Sequence, residues 1–116
     1  MAAGWRLFPR FRVVRDEIIA IGPGKADLLE AVGRTGSIRD AAESLGMSYM
    51  RAWKLIREMN EAFRDPVVES MRGGNERGGA TLTESGRRVV AVYRAMEKKA
   101  TAATKEEWAQ LKRMLV

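Results

Sequence analysis

The chain has 116 residues, 46% of them hydrophobic, with 21 Lys and Arg against 15 Asp and Glu, a formal charge of +6 and a pI of about 10.2. That length gives one domain with at most an extra helix, and the positive charge suits a polyanionic partner. The sequence contains no Cys and no His, which excludes disulfides, thiolate metal sites and the commonest general base, while no apolar run approaches the roughly 18 residues of a membrane span and no signal peptide is visible. The expectation is a soluble cytoplasmic protein without membrane association.

Residues 1–7 carry little pattern and are expected to fray. Phe8–Arg15, FPRFRVVR, is rich in Val and Phe and predicts a strand near 10–15. Asp16-Glu17 can turn the chain, and Ile18 to Ile21 can pair back. Arg10, Arg12 and Arg15 either touch a phosphate or form a solvated strand face. Gly22-Pro23-Gly24 is a break. A first helix follows from Lys25 to about Arg34, with Leu28, Leu29 and Val32 at helical spacing and Gly33 and Gly36 closing it.

The stretch Ser37–Phe63, SIRDAAESLGMSYMRAWKLIREMNEAF, holds two short amphipathic helices joined by a tight turn. Ile38, Ala41, Ala42 and Leu45 fall at i, i+3, i+4 and i+7 and share one face. Ser37 can cap this helix, with Asp40 standing in for the Glu of a capping box. Gly46 can end it in the left-handed conformation, and Ser48 offers the next N-cap. This is the layout of a helix-turn-helix. In the second helix Ala52, Leu55, Ile56, Met59, Ala62 and Phe63 lie on one side. Met50, Arg51, Lys54, Arg57, Glu58 and Glu61 lie on the other, cations first and carboxylates later, and Trp53 sits at the border. A helix entering the major groove contacts DNA mainly through its N-terminal part, which that order suits. A solvated amphipathic helix of any small α domain would show the same facial pattern.

Asp65-Pro66 ends this helix. Val67–Met71 reads as a strand, Arg72–Gly79 (RGGNERGG) as a glycine-rich hairpin tip and Ala80-Thr81-Leu82 as the returning strand. A hairpin directly after a helix-turn-helix is a wing, and its Arg72, Asn75 and Arg77 can reach a groove or a phosphate. A plain turn is the alternative. The spacing of a nucleotide-binding phosphate loop is absent.

Thr83 caps a long helix to about Lys99, with Glu84 in its first turn. Its stripe of Val89, Val90, Tyr93 and Met96 runs about 25 Å. That exceeds what a small bundle needs, so a two-fold partner is expected to cover it. Ala100–Ala103 either continues or breaks the helix. Thr104-Lys105-Glu106-Glu107 reads as a capping box launching a last helix with Trp108, Leu111 and Leu115 on one side. That stripe should pack on the body or on the partner. No internal repeat or low-complexity tract is present.

These residues resemble the N-terminal DNA-binding domain of the molybdate-responsive ModE regulators, a winged helix similar to that of LysR-type regulators. The resemblance rests on TGSIRDAAESLGMSYMRAWKLIREMN (Thr35–Asn60), the wing GGNERGGATLTESG (Gly73–Gly86) and the helix that follows, and it spans roughly 21–99. It implies a homodimeric, mainly α winged helix-turn-helix with a small β-hairpin wing and a long dimerisation helix, acting in transcription on double-stranded DNA. Under it Ser37 and Arg39 sit at the DNA backbone. Ser48, Tyr49, Arg51, Lys54 and Arg57 line the recognition helix, and Arg72, Asn75 and Arg77 belong to the wing. The dimer helix covers 87–99. ModE regulators bind molybdate in a separate C-terminal module, whereas this sequence carries about one helix beyond the winged domain. No cofactor is therefore expected in it, and any effector, molybdate included, is implied by the resemblance alone.

The expected organisation is an N-terminal segment with short strands (1–21), a winged helix-turn-helix (22–82) and C-terminal dimerisation helices (83–116). A winged-helix protein-interaction module and a nonspecific nucleic-acid binder are the alternatives. Ser37–Met71 is close to neutral overall, so its cations are placed rather than abundant. No catalytic constellation supports an enzyme.

Overall fold

The computed structural model describes residues 4–70 and 79–116. A short hairpin, β1 (Val13–Arg15) and β2 (Ile18–Ile21), opens the fold and turns at Asp16. Its antiparallel register slips by one residue after Val13, so Ala20 has no cross-strand partner. Residues 4–12 belong to no helix or strand, so β1 is shorter than the strand expected over 10–15. Of the N-terminal stretch expected to fray, residues 1–3 lie outside the described residues, and the exposed Trp5 donates its Nε1–H to the Val116 carbonyl at 3.0 Å.

Helix α1 (Pro23–Thr35) starts two residues earlier than its apolar stripe suggests. Pro23 occupies the first turn, where its fixed φ fits and its missing N–H costs nothing. Gly36, at φ 70°, ends the helix, with its N–H donating to the Val32 carbonyl. Gly33 does not close it. It lies inside α1, where a Cβ would approach Leu82 to 3.0 Å.

Helix α2 (Ile38–Ser44) is capped by Ser37, whose Oγ accepts from the Asp40 N–H. The reciprocal half of the expected capping box is absent. The Ser37 N–H donates instead to Thr35 Oγ1 at 3.3 Å. Leu45 and Gly46 (φ 69°) turn the chain into helix α3 (Tyr49–Ala62), capped by Ser48 through the Arg51 N–H.

Leu28, Leu29 and Val32 of α1, Ile38 and Ala41 of α2, and Ala52, Ile56 and Met59 of α3 meet in one core. The apolar faces read from spacing are the faces that are buried.

Helix α3 stops at Phe63, ahead of Asp65-Pro66. Strands β3 (Val68–Ser70) and β4 (Ala80–Leu82) pair antiparallel, with Val68 opposite Leu82 and Ser70 opposite Ala80. The hairpin base is also tied to the α1–α2 turn. Ser37 bridges Gly79, and the Ala80 N–H donates to the Gly36 carbonyl at 3.1 Å. The architecture is a three-helix body with a β-hairpin after the helix-turn-helix, the expected winged arrangement.

Helix α4 (Glu84–Ala103) is 20 residues long, longer than expected. Thr83 caps it through the Gly86 N–H and donates its own Oγ1–H to the Pro66 carbonyl at 2.7 Å. Gly86 is required by close approach: an added Cβ would lie 2.2 Å from the Val67 carbonyl oxygen. Helix α5 (Lys105–Arg113) follows with almost no break. Thr104 does not form the expected capping box. Its hydroxyl donates back to the Ala100 carbonyl at 2.8 Å, continuing the preceding helix.

Candidate nucleic-acid interface

Helix α3 offers its outer face to solvent. Met50, Arg51, Lys54, Arg57 and Glu61 are exposed. At about 100° per residue, Arg51 and Arg57 diverge by about 120° with Lys54 midway, so the three cations fan across one arc of the helix. Arg51 and Arg57 form no ion pair among the described residues, and Lys54 stands 3.7 Å from Glu58. The Ser48 cap puts the first-turn N–H groups of α3 at the same end as Arg51.

Tyr49 and Trp53 meet edge to face, with ring centroids 6.4 Å apart. Both are half-buried against the core, as expected for Trp53. Arg39 of α2 places its guanidinium 5.6 Å from the Tyr49 ring centre, which joins the two helices of the motif at their exposed seam. Ser37 and Ser48 use their oxygens as caps. Each hydroxyl keeps its proton for donation to an outside acceptor. The structure thus brings Ser37, Arg39, Ser48, Tyr49, Arg51, Lys54 and Arg57 onto the helix-turn-helix. Arg72, Asn75 and Arg77 lie outside the described residues.

Three positioning contacts carried no signal that sequence spacing could isolate. Lys25 is only 7% exposed. Its Nζ donates to the Ile19 carbonyl and pairs with Glu58 at 3.0 Å. The hydrogen bond from Lys25 holds the Glu58 carboxyl below its ordinary range, with Lys54 adding to the effect. Glu58, read as a solvent residue, is therefore a tether between α3, α1 and β2.

Asn60 is the second. Its Oδ1 accepts from the N–H groups of Val67 (2.8 Å) and Val68 (3.3 Å), and its Nδ2 donates to the Val68 carbonyl (3.1 Å). One side chain of α3 thereby fixes the first wing strand.

The third is Arg94, expected only as part of the partner-facing helix. It forks onto Glu30 at 2.8 and 3.0 Å, and it also reaches Asp27 (2.7 Å) and Glu97 (3.0 Å). This network clamps α4 to α1. It drives the Arg94 pKa upward, chiefly through the Glu30 hydrogen bond, and lowers that of Glu30.

The long-helix stripe needs a correction. Tyr93 is 2% exposed, and its hydroxyl donates to the Phe11 carbonyl at 2.8 Å. Its ring belongs to the protomer's own core and is not a surface for a partner. Val89 and Val90 are half-buried against that same core. The apolar groups that α4 leaves outward are Val92, 51% exposed, and Met96, 39% exposed. They border a groove shared with Val13, Ile21 and Phe63. On α5, Trp108 is half-buried under Lys112, while Leu111 and Leu115 are exposed.

The sequence model for bacterial regulatory helix-turn-helix proteins of the lysR family matches residues 25–87, from the buried Lys25 through the wing into α4. The chain belongs to that family. It is 41% identical over 92 residues to the molybdenum transport protein ModE of Azotobacter vinelandii, covering 79% of this chain and 34% of that protein. It is 44% identical over 77 residues to the molybdenum-pterin-binding protein MopB of Rhodobacter capsulatus, covering 66% and 28%. Against the DNA-binding transcriptional dual regulator ModE of Escherichia coli K12 the identity is 39% over 71 residues, covering 61% and 27%. The LysR-type chain spans between about a quarter and a third of the length of these curated relatives. Its fold is that of the protein in the CbnR_DBD–DNA complex, with a TM-score of 0.58 at 17% identity over 76% of this chain and 95% of that one. Among the described residues no helix is long and apolar enough to cross a membrane.

Proposed function

We propose that this LysR-type chain is a sequence-specific, DNA-binding transcriptional regulator that acts as a homodimer in the control of molybdenum metabolism. The observation that carries the reading is the outer face of α3. It follows a capped turn, lies at the centre of the family match, and holds Arg51, Lys54 and Arg57 free of core packing. In the docking geometry of such motifs the N-terminal part of this helix enters the major groove. Arg51, Lys54 and Arg57 then meet base edges and phosphates, with Ser37, Arg39 and Ser48 at the backbone and Arg72, Asn75 and Arg77 on the wing. The molybdenum link rests on relatives named for molybdenum transport and molybdenum-pterin binding. The match covers 34% and 28% of those proteins, and the reading assigns the DNA-binding role to the residues matched, with molybdate or another effector implied by the resemblance alone.

A two-fold partner seated on Val92, Met96, Leu111 and Leu115 would set two α3 helices on inverted half-sites. Their centres would be about 10–10.5 bp apart, or a multiple of that. Selecting bound fragments from genomic DNA supplies the target. Alanine variants of Arg51, Lys54 and Arg57 are then titrated against selected and random duplexes. A base-reading Arg should cost about 1–3 kcal/mol and relax specificity at one position, while a phosphate contact should weaken both duplexes alike. Unchanged binding in all three variants would overturn the reading.

A further inference from the structure

We infer that the N-terminal β1–β2 hairpin is a second DNA-contacting arm, in which Arg12 and Arg15 engage backbone phosphates beside the recognition helix. The inference rests on the DNA-binding reading above and extends it to a segment that lies before the family match, which begins at residue 25.

The hairpin is fixed to the recognition helix. Lys25 Nζ donates to the Ile19 carbonyl of β2 and pairs with Glu58 of α3. Ile21 is buried at the hairpin's foot, and the carbonyl of Phe11, just before β1, accepts from the Tyr93 hydroxyl. Its arginines therefore stand at set positions relative to α3. Arg12 and Arg15 are both exposed, and they line one open cleft of about 680 Å³ together with Arg51 and Lys54. Neither forms an ion pair among the described residues, in contrast to Arg94, Lys25 and Arg87.

The carboxylates of the cleft do not cancel them. Glu58 is engaged by Lys25 and Lys54. Glu17 and Glu61 remain and make the surface mixed, so it does not act as a diffuse basic patch. Free guanidiniums beside a helix that enters a groove suit the phosphates flanking that groove, where Arg forms charge-assisted, often bidentate hydrogen bonds. The apolar face of the hairpin, Val13 with Ile21, turns instead to the α4 groove.

The test uses the full chain and a double variant, Arg12→Ala with Arg15→Ala, titrated with selected and random duplexes over a series of salt concentrations. Two lost phosphate contacts should reduce the log–log salt slope by about two. Affinity at 0.15 M salt should fall roughly thirtyfold for both duplexes, leaving their ratio unchanged. The Arg12→Lys, Arg15→Lys variant keeps the charge and should keep the slope. Both residues are exposed, so thermal melting should not move. An Arg51→Ala, Lys54→Ala variant runs in parallel. If it loses binding while the hairpin variant matches wild type in slope and affinity, the hairpin inference fails and the DNA-binding reading stands. If wild type itself binds no duplex, both fail.

Discussion

Replacing Asn60 by Ala removes a side chain that joins the recognition helix to the base of the wing. The change leaves the N–H groups of Val67 and Val68 and the carbonyl of Val68 without the partners now at 2.8, 3.3 and 3.1 Å. Val67 and Val68 are both buried, so water does not replace Asn60 freely. Each orphaned buried group costs about 1–3 kcal/mol. With the Val68 N–H bond already long, the total should be about 3 kcal/mol. In a domain of this size that corresponds to a fall in Tm of roughly 10–15 °C. Asn60→Asp keeps the oxygen that accepts from both N–H groups but replaces the donor to Val68 with a carboxylate oxygen facing that carbonyl, so it should cost about 1 kcal/mol or more. Thermal melts of the three proteins at pH 7 give the ordering, and amide exchange at Val67 and Val68 shows whether the loss is local. If alanine and aspartate variants melt within about 2 °C of wild type, or protection at both valines persists, the clamp carries no energy and the wing base is held by β3–β4 pairing alone.

Three further outcomes are expected. Gly86→Ala gains helix propensity of up to about 1 kcal/mol. It also sets a methyl 2.2 Å from the Val67 carbonyl oxygen, which already accepts the Thr83 N–H. The clash should win by about 3 kcal/mol or more, seen as a lower denaturation midpoint. Val92→Glu charges an exposed apolar position without touching the core, so sedimentation should show dissociation of a wild-type dimer while the helical content of the protomer is kept, with Tm falling only by the lost stabilisation from association. A monomeric wild type at micromolar concentration would remove the dimer from the reading. Glu30 and Glu58 both have folded-state pKa values lowered from the ordinary 4.5. Their contribution is therefore present above about pH 4.5 and lost as pH falls through the lower folded values. Acid titration of stability should show this decline, and Glu58→Gln should flatten part of it.

The helices were legible in the sequence because their apolar spacing has no competing solution. Leu28, Leu29 and Val32, then Ile38, Ala41 and Ala42, then Ala52, Ile56 and Met59 are the buried sets the structure shows. The N-caps at Ser37, Ser48 and Thr83 were legible for the same local reason. What failed depends on contacts between distant segments. The stripe of α4 named the apolar residues but not which of them the protomer spends on itself. The Tyr93 hydroxyl bonds to Phe11, 82 positions away, so a periodic pattern within α4 could not place it inside. Lys25, Asn60 and Arg94 were missed because single polar residues acquire meaning only from partners such as Glu58, Val67 and Glu30. Thr104-x-x-Glu107 satisfied the capping-box pattern. The chain instead stays helical through Ala103, and the Thr104 hydroxyl finds the Ala100 carbonyl first.

These missed residues bear directly on how the exposed cations can work. The stretch from Ser37 to Met71 is near neutral, so attraction to DNA cannot come from charge excess there. Under the proposed function it would come from cations held where the duplex presents phosphates and base edges. Ser48 sets the start of α3, the Lys25–Glu58 pair fixes its rotation against α1 and the hairpin, and Asn60 locks its end to the wing base. Arg51 and Lys54 hence have fixed positions relative to Arg12 and Arg15 on one side and to the β3–β4 base on the other. Turning α3 to suit a different groove geometry would break the Lys25–Glu58 pair, leaving the buried lysine without its carboxylate, and expose two valine amides. Such rigidity favours a target whose contacts match in register, since a mismatched contact cannot be recovered by rolling the helix. On the proposed function, sequence-specific binding would follow from the tethers as much as from the arginines.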